Sequence, residues 1–203
     1  PRGAGRGNGS RNGRQPRPID VRSFINKAVD MPEVEVIPIT HSFADFDIDT
    51  RVKTNIAQKG YTIPTPIQDQ GIIPILEGRD FLGIANTGTG KTGAFLIPLI
   101  NKMLHDKQQK VLVMGPTREL AIQINHEFQG LASMLSLWSV LAIGGTSMYQ
   151  QRRSLESYHN FLISTPGRLK DLVNQRLINL SQYGTVVLDE VDRMLDMGFI
   201  KDM

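Results

Sequence analysis

The chain has 203 residues, a formal net charge of +3 and no cysteine; hydrophobic residues make up 40% and charged residues 21%. That composition belongs to an ordinary globular domain and excludes a wholly disordered chain. The lack of cysteine excludes a disulfide scaffold, a Cys-ligated zinc site, an iron–sulfur cluster and a cysteine nucleophile, and it fits a reducing, cytoplasmic setting.

Residues 1–22 hold six arginines and one acid, a local charge of +5 against −2 for the remaining 181 residues. Five glycines are interleaved, and no large apolar residue precedes Ile19. Such a segment cannot offset its ordering entropy, so a disordered basic tail is expected, with a linker over 23–40. Its expected partner is a phosphate backbone. The body, 41–203, has the length of one domain. The apolar runs Phe81–Ala85, Val111–Gly115, Ser139–Ile143, Asn160–Ser164 and Thr185–Leu188 predict buried strands. Their nearly continuous apolar character favours a parallel sheet covered on both faces. Helices are predicted over Lys91–His105, Thr117–Leu135, Met148–Leu155 and Pro166–Leu177. The last begins with a Thr165 cap and proline at the first helical position. This alternation predicts an α/β fold, a doubly wound and mostly parallel sheet whose ligands bind beyond the carboxyl ends of the strands. The most apolar stretch, Leu131–Ile143, falls short of the roughly 20 residues a membrane-spanning helix needs.

After the run Phe81–Ala85 stands Ala85-Asn86-Thr87-Gly88-Thr89-Gly90-Lys91-Thr92. It matches the phosphate-loop pattern G-x-x-x-x-G-K-[ST], with Ala85 replacing the first glycine. Gly88 and Gly90 let the backbone curl so that successive N–H groups point at one anion. The helix starting near Lys91 adds the positive end of its dipole. Lys91 can reach the β- and γ-phosphates, and Thr92 offers a hydroxyl to Mg2+.

The run Thr185–Leu188 ends in Asp189-Glu190. A buried strand delivering two acids at its end is costly unless something cationic meets them. By itself the pair reads equally well as an acidic helix N-terminus. Beside a phosphate loop it reads as a magnesium site, with Asp189 holding the metal and Glu190 orienting or deprotonating the attacking water. Thr65-x-x-Gln68, with Pro66 at the first helical position, reads as a capping box.

Asp189-Glu190-Val191-Asp192 resembles motif II of the DEAD-box RNA helicases, with Val191 where that family has alanine. Other segments match in order: Gly60 to Gln68 resembles the Q motif with Phe43 as its upstream aromatic, and Ala85 to Thr92 resembles motif I, where alanine first is the family's usual choice. Pro116-Thr117-Arg118-Glu119-Leu120 is similar to motif Ia, Gly144-Gly145 to the GG motif and Thr165-Pro166-Gly167-Arg168 to motif Ib. The resemblance implies a RecA-like phosphate-loop domain. It implies an ATP-dependent RNA helicase using ATP and Mg2+. Gln68 and Phe43 would meet the adenine, Thr87, Gly88, Thr89, Gly90, Lys91 and Thr92 the phosphates, and Thr92 and Asp189 the metal. Lys91, Asp189 and Glu190 would be catalytic. RNA would lie against Pro116, Thr117, Arg118, Gly145, Thr165, Gly167 and Arg168 through its backbone, without sequence preference.

Val191 removes no catalytic group. The larger departure is that motif III and a second RecA-like domain do not occur in these 203 residues. That second domain carries, in the family, the arginines that reach the γ-phosphate. The expectation is therefore an ATP-binding half that binds ATP, contacts RNA weakly and hydrolyses little by itself.

Overall fold

The computed structural model describes residues 38–201. The expected basic tail and nearly all of the expected linker lie outside the described residues.

Two helices precede the phosphate loop. α1 (Thr50–Gln58) starts where the Asp49 carboxylate accepts the Arg51 N–H at 2.8 Å. α2 (Pro66–Leu76) opens on proline, whose missing N–H is unneeded in a first turn. α3 (Lys91–His105) follows the loop and is buried along most of its length. The strand–helix alternation then runs β1 (Val111–Met114), α4 (Arg118–Leu131), β2 (Ser139–Ala142), α5 (Met148–Glu156), β3 (Phe161–Ser164), α6 (Pro166–Asn174), β4 (Thr185–Leu188) and α7 (Val191–Asp196). The helix ends predicted at Leu135 and Leu177 fall earlier, at Leu131 and Asn174. α1 had no counterpart in the sequence reading.

All four strands are parallel, in the order β2-β3-β1-β4. Alternate residues of β1, β2 and β3 enter different cores, whereas the expectation of a buried strand over Thr185–Leu188 is corrected: at the sheet edge only Val187 packs inward, and Val186 and Leu188 are exposed. Val111, Val113, Phe161 and Ile163 pack with Leu96, Ile100, Ile124 and Phe128 from α3 and α4. Leu112, Met114 and Leu162 pack on the other face with Leu169, Leu172 and Met194 from α6 and α7. Helices cover both faces, as a doubly wound parallel sheet requires.

The predicted strand Phe81–Ala85 is a correction. It forms no ladder, and Leu82 and Ile84 are 85% and 91% exposed. It lies instead across a groove of about 370 Å³ from the outer edge of β4. Phe81, at the start of the run, packs back on Gly71 and Gly83, where an added Cβ would come within 3.1 and 2.8 Å of its ring. An apolar run becomes a strand only when its backbone groups find a neighbouring ladder, and that pairing is non-local.

Candidate active site

The four strands end side by side, and the loops that follow carry the sequence candidates. Asp189 follows β4, and its N–H donates to the Met114 carbonyl of β1 at 2.9 Å. Gly115 donates to the Ser164 carbonyl of β3 at 3.1 Å. The loops after β1, β3 and β4 are thereby held together at one edge of the sheet.

A cleft of about 420 Å³ opens there, lined by Thr87, Gly88, Gly90, Lys91, Thr92, Asp189 and Glu190. Two segments separated by about 100 residues of sequence thus meet in one place. The loop's shape follows from its glycines. Gly88 and Gly90 have φ of +82° and +92°, and Gly90 is the left-handed N-cap of α3. A Cβ on Gly90 would also stand 2.7 Å from Gln68 Nε2, so the position excludes other residues twice over. The Thr89 hydroxyl closes the loop by donating to the Asn86 carbonyl at 2.7 Å. Lys91 Nζ donates to the Ala85 carbonyl at 2.8 Å, folded back along the loop that it would leave for a phosphate.

Asp189 is only 7% exposed, and among the described residues it makes no ion pair. Burial pushes its carboxyl above the ordinary value, the Lys91 charge pulls it back and Glu190 adds to the rise. Glu190 is left-handed at φ +52° as the N-cap of α7, and its carboxylate sits 3.4 Å from the Arg193 guanidinium. Magnesium is usually held by one or two carboxylates together with substrate phosphates, not by an all-protein cage. A buried carboxylate seeking a cation and the Thr92 hydroxyl in the same cleft are donors of that kind, so the site fits the ion.

The adenine candidates lie behind the cleft wall. Gln68 is 3% exposed; its Oε1 accepts the Thr65 N–H at 3.0 Å and its Nε2 donates to the Gly90 carbonyl at 3.1 Å. One amide therefore caps α2 and grips the phosphate loop. Thr65 Oγ1, the other half of the capping box, is buried without a well-formed hydrogen bond. Phe43 is 7% exposed, between Phe46 and Tyr61 with ring centroids 6.1 Å from each. It touches the cleft only through Tyr61, which the sequence reading did not single out although it stands inside the Gly60–Gln68 run. Tyr61 lines the cleft and donates to Glu127 of α4 at 2.6 Å, and burial raises its hydroxyl pKa.

The RNA candidates occupy the loops after β1, β2 and β3. Pro116 is buried, and the Thr117 hydroxyl accepts the Leu120 N–H at 3.2 Å as the cap of α4. Arg118 is exposed and lies over Gly144 and Gly145; a Cβ on Gly144 would stand 2.9 Å from its Nη2. Gly145 is left-handed at φ +84°. Motif Ia and the GG pair are thus one contiguous surface. Thr165 stands at the N-cap position of α6, but the expected side-chain cap does not form, and Gly167 is open, with nothing near an added Cβ. Arg168 turns inward, to Gln151 and the Thr146 carbonyl.

Similarity to known proteins agrees with this geometry. Residues 65–203 match the family model for DEAD/DEAH box helicases. The chain is 43% identical over 171 residues to the ATP-dependent RNA helicase RhlB of Vibrio cholerae, covering 80% of this chain and 39% of that protein. It is 43% identical over 172 residues to the ATP-dependent RNA helicase vasa of Drosophila melanogaster, covering 82% and 26% respectively. Among solved structures, a DEAD box protein from Methanococcus jannaschii superposes with a TM-score of 0.76 at 36% identity, covering 79% of this chain and 44% of that one. The chain thus spans about two fifths of the bacterial relative's length. With its glycine loop and the Asp189-Glu190 pair facing one cleft of a RecA-like sheet, this chain belongs to the DEAD/DEAH box helicase family.

Proposed function

We propose that the chain is the ATP-binding half of an ATP-dependent RNA helicase, coupling Mg-ATP binding and hydrolysis to the binding and local unwinding of RNA. The observation that carries this is the meeting of the glycine loop, Lys91, Asp189 and Glu190 in one cleft, with the RNA-candidate loops on the same edge. The proposed organisation is a basic tail over 1–22, a linker over 23–40 and the Q motif with the ATP-binding domain from 41.

The loop N–H groups and the N-terminus of α3 bind the phosphates. Lys91 exchanges the Ala85 carbonyl for the β- and γ-phosphate oxygens. Thr92 and Asp189 would hold magnesium, which when bound neutralises charge on those phosphates. Glu190 orients the attacking water and accepts its proton. Gln68 reports on the base because the same amide grips the Gly90 carbonyl. Phosphates of an RNA strand meet Arg118, Gly145 and the N-terminus of α6, with no base readout. By itself the chain binds ATP and weakly RNA and hydrolyses little, since an arginine contributed from elsewhere can carry roughly 10³–10⁵ of a phosphoryl-transfer rate.

The test is hydrolysis by the complete protein with and without RNA, in wild type and Glu190→Gln. The variant is expected to bind ATP as wild type does and to hydrolyse it at least about 100-fold more slowly. Unchanged turnover would take Glu190 out of the mechanism.

A further inference from the structure

α5 shows solvent most of its surface, yet its Gln151 is only 4% exposed. Gln151 Nε2 donates to the Ile143 carbonyl at 2.7 Å, just beyond β2, and to the Thr146 hydroxyl. Its Oε1 accepts Nη1 of Arg168, in the first turn of α6 beyond β3. The Arg168 fork also approaches the Thr146 carbonyl at 3.4 and 3.5 Å. Its buried Nε has no hydrogen-bond partner, and the Asp171 carboxylate is 3.9 Å away. Gln151 is thus the most direct tie on the Arg168 guanidinium.

The residue type follows from what it must pair. Toward Ile143 and Thr146 the side chain has to donate, and toward Arg168 it has to accept. A carboxylate would face the Ile143 carbonyl with no proton to give. A lysine would repel Arg168, and an apolar side chain would leave the Arg168 guanidinium only its long contacts to the Thr146 carbonyl and the Ile143 carbonyl only the Thr146 hydroxyl. At this edge the segments after β2 and β3 otherwise share the long Arg168 contacts to the Thr146 carbonyl and two bonds to the Ala142 carbonyl, from the Ser164 hydroxyl at 2.7 Å and from the Thr165 N–H at 3.4 Å.

We propose that Gln151 is a positioning residue for RNA. It locks the Gly144–Thr146 loop and the start of α6 into one arrangement, so that both meet the phosphates of a single strand at a fixed spacing. This rests on the RNA-backbone reading of those loops given above. Neither Gln151 nor its partners Ile143, Thr146 and Arg168 line the nucleotide cleft, so the effect expected of Gln151 is on RNA and not on ATP.

The experiment measures two affinities on the 203-residue chain at low salt, for a fluorescein-labelled uridine decamer and for a fluorescent ATP analogue. Gln151→Leu is expected to lose about tenfold in RNA affinity and to keep its ATP affinity. The double variant with Arg168→Ala is expected to lose no more than Arg168→Ala does. Gln151→Glu keeps the acceptor for Arg168 and is expected to lose less than Gln151→Leu; it carries the test if the leucine variant does not fold, and must then still bind RNA more weakly than wild type. Wild-type RNA affinity in a folded Gln151 variant overturns the proposal, as do additive losses in the double variant or a parallel loss of ATP affinity. Loss in Arg168→Ala with none in Gln151→Leu removes the proposal and leaves the RNA reading intact. No loss in Arg168→Ala or in Gly145→Val removes both.

Discussion

Lys91 begins bonded to an uncharged acceptor, the Ala85 carbonyl. Exchange for a phosphate oxygen is favourable because the ammonium then meets an opposite charge as well as an acceptor. Lys91→Ala is expected to cost about 100-fold in ATP affinity, roughly 2–3 kcal/mol, in a fluorescence titration. Wild-type affinity there would contradict the phosphate-loop assignment. Gly90→Ala meets both a φ of +92° and a 2.7 Å clash with Gln68 Nε2. It is expected to lose about 1–3 kcal/mol of stability in urea unfolding and to weaken ATP binding with it. Asp189 gives the opposite sign. Burial raises its pKa, so the ligand-free fold favours the protonated acid. Between the ordinary carboxylate pKa and the raised one, the folded chain holds more protons than the unfolded chain, and this contribution to stability falls as pH rises through that window. At pH 7 the ionised acid therefore costs stability. Asp189→Asn is expected to stabilise the ligand-free chain at pH 7 while abolishing its magnesium-dependent ATP binding. A less stable variant would mean that Asp189 is already satisfied without a ligand.

The elements separate into those set by local rules and those set by partners far along the chain. The starts of α4 and α6 were legible from local signals, the Thr117 side-chain cap of α4 and the proline in the first turn of α6. So was the glycine loop, whose positive φ angles demand glycine by themselves. The run Phe81–Ala85 was not legible. Its composition is that of a strand, but a ladder needs a neighbour, and here a groove separates it from β4. Gln68 was legible as a cap and as a candidate base reader, but not as a clamp on Gly90, a contact 22 residues away. The inward turn of Arg168 was hidden for the same reason: its partner Gln151 looks like any exposed helical glutamine in the sequence. α2 adds a tether of this kind. Desolvation pushes Asp69 upward, yet the Thr40 N–H and hydroxyl and the His41 ring and N–H together hold it below the usual carboxylate range. A depressed pKa contributes stability above the unfolded value that is lost as pH falls through the folded one. Asp69→Asn is expected to destabilise the chain at pH 7 and to do so less at acid pH. Equal loss at both would assign the effect to packing.

Over the whole chain, charge is divided between a +5 segment and a −2 remainder. If the segment contacts RNA, binding must release counterions with it. Deleting residues 1–17 removes five arginines. It is expected to flatten the slope of log affinity against log salt by up to about 3.5, and an unaltered slope would make the segment a bystander. The site is organised the same way, from parts that are weak singly and specific together. Gln68 stands at their junction, capping α2 on one side and holding the phosphate loop on the other. The most direct test of the account is equilibrium binding of ATP with magnesium, competed by GTP, in wild type and in Gln68→Ala. The account predicts that wild type prefers ATP clearly and that Gln68→Ala loses the preference. Equal competition by GTP in wild type would contradict it: Gln68 would then be a helix cap, and the cleft a phosphate site that does not read the base.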